Sequence, residues 1–172
     1  TYKIDRDFVT NNLSLISPTG DPNIILDNPN KILDVNLILT QRKFEFKINK
    51  VNADDTTQKL DGAQIKIEQP GDRDDLTGTT GNANASGTQE QGTYTFDKAD
   101  VVCIIDNGDK TYTSTYKVIE DVKPSGYKRI ESIEINIKFD ADGKVIDAES
   151  TDPTYLDVIY KDGSVEVNLL NT

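Results

Sequence analysis

Three polar side chains stand where a strand pattern would bury them. Phe44, Phe46 and Ile48 alternate along one face of Lys43–Lys50, and Lys50 falls in phase with them. Tyr116 and Val118 share a face with Glu120, and Val165, Val167 and Leu169 are followed in phase by Asn171. An amine, a carboxyl group and a carboxamide sent inward are costly unless they answer one another. Each also has a plainer reading alone, since a strand-end lysine snorkels to water and a terminal asparagine caps a turn. Histidine is absent from the chain, so no Ser-His-Asp triad, Cys-His pair or His-ligated zinc site is available.

The elements that must position these residues are strands. Period-two alternation recurs in Gln64–Ile67 and Ile133–Ile137, and β-branched or aromatic runs mark Tyr112–Ile119 and Ser164–Leu170. Turn signals separate them at Asp61-Gly62, Asn107-Gly108, Pro124-Ser125-Gly126, Asp142-Gly143 and Asp162-Gly163. No amphipathic helix of useful length is expected, beyond a short helical turn near Asp97–Asp100. Short strands at this spacing predict an all-β, Ig-like antiparallel sandwich. The Gly-, Thr-, Asn- and Ser-rich stretch from Leu76 to Gly92 reads as a long, mobile exposed loop. Its Asn84-Ala85-Ser86 fits a glycosylation sequon but reads as ordinary loop composition.

The 172 residues suffice for one full domain and something more. Tyr2-Lys3-Ile4-Asp5 resembles Tyr127-Lys128-Arg129-Ile130, and Val35–Thr40 resembles Val167–Thr172. Residues 1–40 are therefore expected to be the closing strands of a preceding repeat, or an N-terminal strand extension, ahead of a sandwich domain at 41–172. Leu39 occupies the position in the first copy that Asn171 holds in the second.

Charge narrows the class. Nineteen Lys and Arg against thirty Asp and Glu give a formal net charge of -11, which argues against nucleic acid and anionic membrane surfaces as partners. No apolar run reaches membrane-spanning length and no signal peptide is evident, so the chain reads as an internal piece of a mature extracellular protein. The lone Cys103 cannot form an internal disulfide. Within Val101–Ile105 it reads as a small buried hydrophobe on a core strand. Asp140-Ala141-Asp142-Gly143 has part of a calcium loop but lacks the later ligands, and a hairpin turn explains it better. Asp72, Asp74 and Asp75 read as solvated loop charge. No metal and no cofactor is expected.

A family resemblance adds to this reading. Tyr116-Lys117-Val118-Ile119-Glu120-Asp121-Val122-Lys123-Pro124-Ser125-Gly126-Tyr127 resembles the glutamate-box of Gram-positive pilins and adhesins, Tyr-x-Leu-x-Glu-Thr-x-Ala-Pro-x-Gly-Tyr. Asp121 replaces the usual Thr and Lys123 the usual Ala. Lys50-Val51-Asn52, with Leu60-Asp61-Gly62-Ala63-Gln64-Ile65-Lys66-Ile67, is similar to the opening of the same domains, and Leu169–Thr172 to their closing strand. These are Cna-B-type (SpaA-like, prealbumin-like) domains, and the resemblance spans about residues 43 to 172.

The resemblance implies an autocatalytic isopeptide bond. Lys50, neutralised by burial, would attack the side-chain carbonyl of Asn171. A protonated Glu120 would hydrogen-bond that carbonyl and shuttle protons as ammonia leaves, with Tyr and Phe side chains nearby excluding water. Asn168 is an alternative partner for Lys50, but its parity places it with Glu166 on the outer face. A bridge over ~100 residues removes about 4–5 kcal/mol of unfolded-state entropy. Such a protein is not an enzyme in the usual sense, because it turns over once.

Two functions follow as expectations. One is a structural stalk or pilin module of a cell-wall-anchored surface protein, whose partners are neighbouring repeats or pilin subunits. The other is a ligand-binding module of an adhesin, with the 76–92 loop or a sheet face meeting a host surface ligand. A transthyretin-like hydrolase is remote without histidine.

Overall fold

Alternation in the sequence becomes strand in the computed structural model, which describes residues 3–6, 13–17, 24–27, 32–35, 42–130, 132–152, 156–161 and 163–172. The chain divides into two compact units, 1–40 and 41–172. In the first, β1 (Lys3–Arg6) pairs antiparallel with β2 (Leu13–Ser17), and β3 (Ile24–Asp27) with β4 (Ile32–Val35). Of the segments that resemble the C-terminal end, Tyr2 and Asn36–Thr40, Leu39 included, lie outside the described residues. Lys3–Asp5 falls within β1, whereas Lys128–Ile130 belongs to no strand.

The second unit is a sandwich of two sheets. Its strands are β5 (Lys43–Asn52), β6 (Gln64–Glu68), β7 (Leu76–Thr79), β8 (Thr93–Asp100), β9 (Ile105–Asp106), β10 (Tyr112–Val122), β11 (Ile133–Phe139), β12 (Val145–Ser150), β13 (Leu156–Lys161) and β14 (Ser164–Asn171). One sheet runs β12-β11-β10-β6-β7, with β9 also on β10; the other runs β13-β14-β5-β8. Among the described residues, every pairing is antiparallel except β5 with β14, the first and last strands of the unit, which run parallel.

Apolar residues at alternate positions of both sheets make one core. Phe46, Ile48, Val165, Val167 and Leu169 from one sheet and Ile65, Ile67, Tyr116, Val118, Ile135 and Ile137 from the other are fully buried. Phe44, Phe46, Tyr116 and Phe139 form a ring cluster, with Phe44 5.5 Å from both Tyr116 and Phe139 in edge-to-face contact. Burial pushes the Tyr116 hydroxyl above its ordinary pKa, and that hydroxyl donates to the Asp100 carbonyl. The first tyrosine of the glutamate-box thus ties β10 to the end of β8.

Three local expectations give way to hydrogen bonding that spacing does not reveal. Asp97–Asp100 is the end of β8, not a helical turn, because Lys43 and Phe44 pair with Asp100 and Ala99. Val101–Ile104 is not a core strand and Cys103 is exposed. There the Tyr116 hydroxyl accepts from the Val102 N–H at 3.3 Å and the Ser114 hydroxyl from the Ile104 N–H at 3.1 Å, taking bonds that a neighbouring strand would otherwise make.

The 76–92 stretch is likewise not one long exposed loop. Its first residues form β7, paired with β6. The rest folds around a buried Asn84, whose Oδ1 accepts from the Thr88 N–H at 2.8 Å and whose Nδ2 donates to Asp97 at 2.8 Å. Glu90 joins Lys59 at 2.7 Å and Lys47 at 2.9 Å. The sequon asparagine is therefore a turn-former whose amide is already engaged. Asp140 plays a similar part between β11 and β12, where its Oδ1 accepts from the Asp142 and Lys144 N–H groups, both at 2.9 Å.

Candidate functional site

Strand parity sends all three polar side chains into the core. Lys50 follows Phe44, Phe46 and Ile48 on the buried face of β5, Glu120 follows Ser114, Tyr116 and Val118 on β10, and Asn171 follows Val165, Val167 and Leu169 on β14. All three are fully buried. The parallel register sets Lys50 opposite Leu169 and Asn52 opposite Asn171, so Asn171 lies diagonally beside Lys50 on the same face.

Glu120 Oε1 sits between the other two. Lys50 Nζ is 3.0 Å from it, and the Asn171 Nδ2 donates to it at 3.5 Å. Lys50 Nζ is close in distance but not aligned as a hydrogen-bond donor, and Asn171 Oδ1 has no partner either. Burial pushes the Lys50 amine below the ordinary lysine value, and the opposing pull of the Glu120 charge does not cancel it. The arrangement is an amine that holds its proton less tightly than usual, a carboxyl group within reach of it, and a carboxamide whose nitrogen faces the same carboxyl oxygen.

The backbone around Lys50 is fixed from both sides. Its N–H donates to the Gly92 carbonyl at 2.7 Å, and its carbonyl accepts from the Leu60 N–H at 2.8 Å. Gly92 has φ +59°, and a Cβ there would fall 2.7 Å from the Leu60 nitrogen, so only glycine lets this strand end approach so closely. On the other side, the Ala53 N–H holds the Asn171 carbonyl at 2.8 Å.

Apolar side chains surround the site. Its nearest inward neighbours by register are Ile48, Val118, Ile65 and Leu169, all fully buried. Phe46 and Tyr116 follow two inward positions back from Lys50 and Glu120 on their own strands. The amide presents its nitrogen, not its carbonyl, to Glu120. Asn168 stands on the outer face, with its Oδ1 accepting from Asn49 at 3.0 Å and its Nδ2 donating to Asp157 at 3.4 Å. It is not brought to Lys50.

Residues 129–130 are the part that motif spacing does not announce. The Ile130 N–H donates to Glu120 Oε2 at 2.9 Å, and Arg129 Nε donates to the Glu120 carbonyl at 2.7 Å. The signal was present in the Pro124-Ser125-Gly126 turn, where Gly126 has φ +90°. A reversal there returns a residue about as far beyond the turn as Glu120 stands before it. Among the described residues no group of three or more His, Cys, Asp or Glu is placed to hold a metal ion, and no helix is long and apolar enough to cross a membrane.

A family model described as the SpaA prealbumin-like fold domain matches residues 44–154, a span that holds Lys50 and Glu120 and ends before Asn171. No curated protein matches the sequence. Among solved structures, the chain is similar to the pilus adhesin SpaC of Lactobacillus rhamnosus GG in its open conformation, with 18% identity and a TM-score of 0.55. The match covers 92% of this chain and 19% of that one. A C-terminal fragment of the same adhesin matches with 16% identity and a TM-score of 0.52, over 99% of this chain and 57% of the fragment. At these identities the likeness is one of fold.

Proposed function

The chain belongs to the SpaA prealbumin-like fold family, and from that premise we propose that its second unit is a structural stalk or pilin module of a Gram-positive cell-surface protein, crosslinking itself through Lys50 and Asn171. Glu120 is the proton carrier. Lys50 Nζ bonds to Asn171 Cγ; Glu120 Oε1 accepts the proton that the amine sheds and delivers one to Nδ2; the Cγ–Nδ2 bond breaks and ammonia leaves. Glu120 ends as it began, so the reaction needs no other reactant and runs once.

One observation carries this reading. A single carboxyl oxygen stands 3.0 Å from the attacking nitrogen and 3.5 Å from the leaving one, in a fully buried setting. Positioning of that kind replaces a bimolecular encounter by an intramolecular one. The product would join the first strand of the sandwich to the last, so tension along the chain would load a covalent bond rather than the sheet. The division of the chain after residue 40 supports reading residues 1–40 as part of a neighbour of this sandwich in such a stalk. A host-ligand role for the 76–92 segment draws less support, because Asn84 and Glu90 tie it down.

Intact mass tests the reading. The chain is expected one ammonia lighter than its sequence, with the full mass restored by Lys50→Ala, Glu120→Ala or Asn171→Ala. An unshifted wild-type mass would remove the crosslink while leaving the fold untouched.

A further inference from the structure

Glu120 stands where both of its neighbouring ladders give out. Pairing of β10 with β11 ends at Val118 and Ile133, and on the other side the β6 register slips between Glu120 and Val122, leaving Asp121 as a bulge. Bulges re-aim side chains at the cost of local pairing. What holds the strand here comes from beyond the turn. Arg129 Nε donates to the Glu120 carbonyl at 2.7 Å, and its Nη2 stands 3.9 Å from Asp121 Oδ1. The ion pair is well exposed and weak; the carbonyl bond is the one that fixes geometry. The next residue, Ile130, donates its N–H to Glu120 Oε2, which leaves Oε1 as the oxygen facing Lys50 and Asn171.

We propose that Arg129 is a positioning residue for the self-crosslinking reaction. Its Nε takes the place of a missing strand donor at the bulge, and so keeps the Glu120 carboxyl within reach of both nitrogens. The inference rests on the crosslinking function proposed above. It explains how a carboxyl at a strand irregularity is held to a distance that proton transfer needs, since small misplacements of a reacting group are costly in rate.

The test follows crosslinking in the full chain after a short pulse of synthesis, by intact mass against time. Arg129→Met is expected to prolong the uncrosslinked form about tenfold, and Arg129→Lys, which keeps a donor, to recover part of the rate. Thermal melts in an Asn171→Ala background separate positioning from folding: Arg129→Met should leave that melt within a few degrees of its parent. A wild-type chain that never loses ammonia overturns the crosslink itself. A crosslinking wild type with an equally fast Arg129→Met overturns only the role of Arg129. So does a slowing that Arg129→Lys does not relieve, or one matched by a collapse of the Asn171→Ala melt.

Discussion

Lys50 Nζ lies 3.0 Å from Glu120 Oε1, and neither side chain exposes any surface. Removing one partner of such a pair leaves an uncompensated buried group. Kept as a pair, the two are worth little in stability beyond what an apolar replacement gives. Their presence in this core is better explained by reaction than by packing, and the first expected outcomes concern that reaction.

Loss of the bond should be visible as a loss of stability. A bridge from Lys50 to Asn171 closes a loop of roughly 120 residues, which contributes about 4–5 kcal/mol. Asn171→Ala is expected to lower the melting temperature by roughly 15 °C, and Glu120→Gln by more, because it also strips the buried Lys50 of its partner. The double variant should fall well short of the sum of the two, because each change removes the same bond. Calorimetry of the three proteins checks this; additive losses would mean that the two residues act separately.

Lys50 also sets a pH dependence, visible where the bond cannot form. In an Asn171→Ala chain the folded amine holds its proton less tightly than the unfolded one. Between the lowered Lys50 value and the ordinary lysine value of about 10.4, the unfolded state binds more protons, so stability rises with pH. As pH falls through the lowered value, that contribution is lost. Urea unfolding at rising pH, up to the ordinary lysine value, should show the rise, and Lys50→Met in the same background should flatten it.

Gly92 is expected to be intolerant for a reason distinct from turn geometry. Alanine there meets both a positive φ and the Leu60 backbone, so Gly92→Ala should cost about 2–3 kcal/mol and displace the carbonyl that holds the Lys50 N–H. Gly126→Ala meets the same sign of φ with nothing within 4 Å, and should cost about 1–2 kcal/mol. Denaturant midpoints of the two variants compare them directly.

Asn84 anchors the segment between β7 and β8. Asn84→Ala removes the acceptor of the Thr88 N–H and the donor to Asp97, at an expected cost of about 1–2 kcal/mol. Limited proteolysis should then cut within residues 80–92 faster than in the wild-type chain.

Legibility in the sequence followed the range of the interactions involved. Strand parity is local, and it alone placed Lys50, Glu120 and Asn171 inward and Asn168 outward. The glutamate-box added the family. What escaped depends on partners distant in sequence. Arg129 and Ile130 matter because a turn folds them back onto Glu120. Asn84 is buried because Asp97 lies beside it, and Cys103 is exposed because Ser114 and Tyr116 take over the backbone bonds of its segment.

The parallel pairing of β5 with β14 also fixes an order of events. The amine belongs to the first strand of the sandwich and the amide to the last, so during synthesis every intervening strand emerges before the two can meet. Contacts so distant in sequence form slowly. Until the eight residues of β14 arrive, β5 lacks its parallel partner and Lys50 lacks its amide. Seating of the last strand is then the event that declares the domain complete.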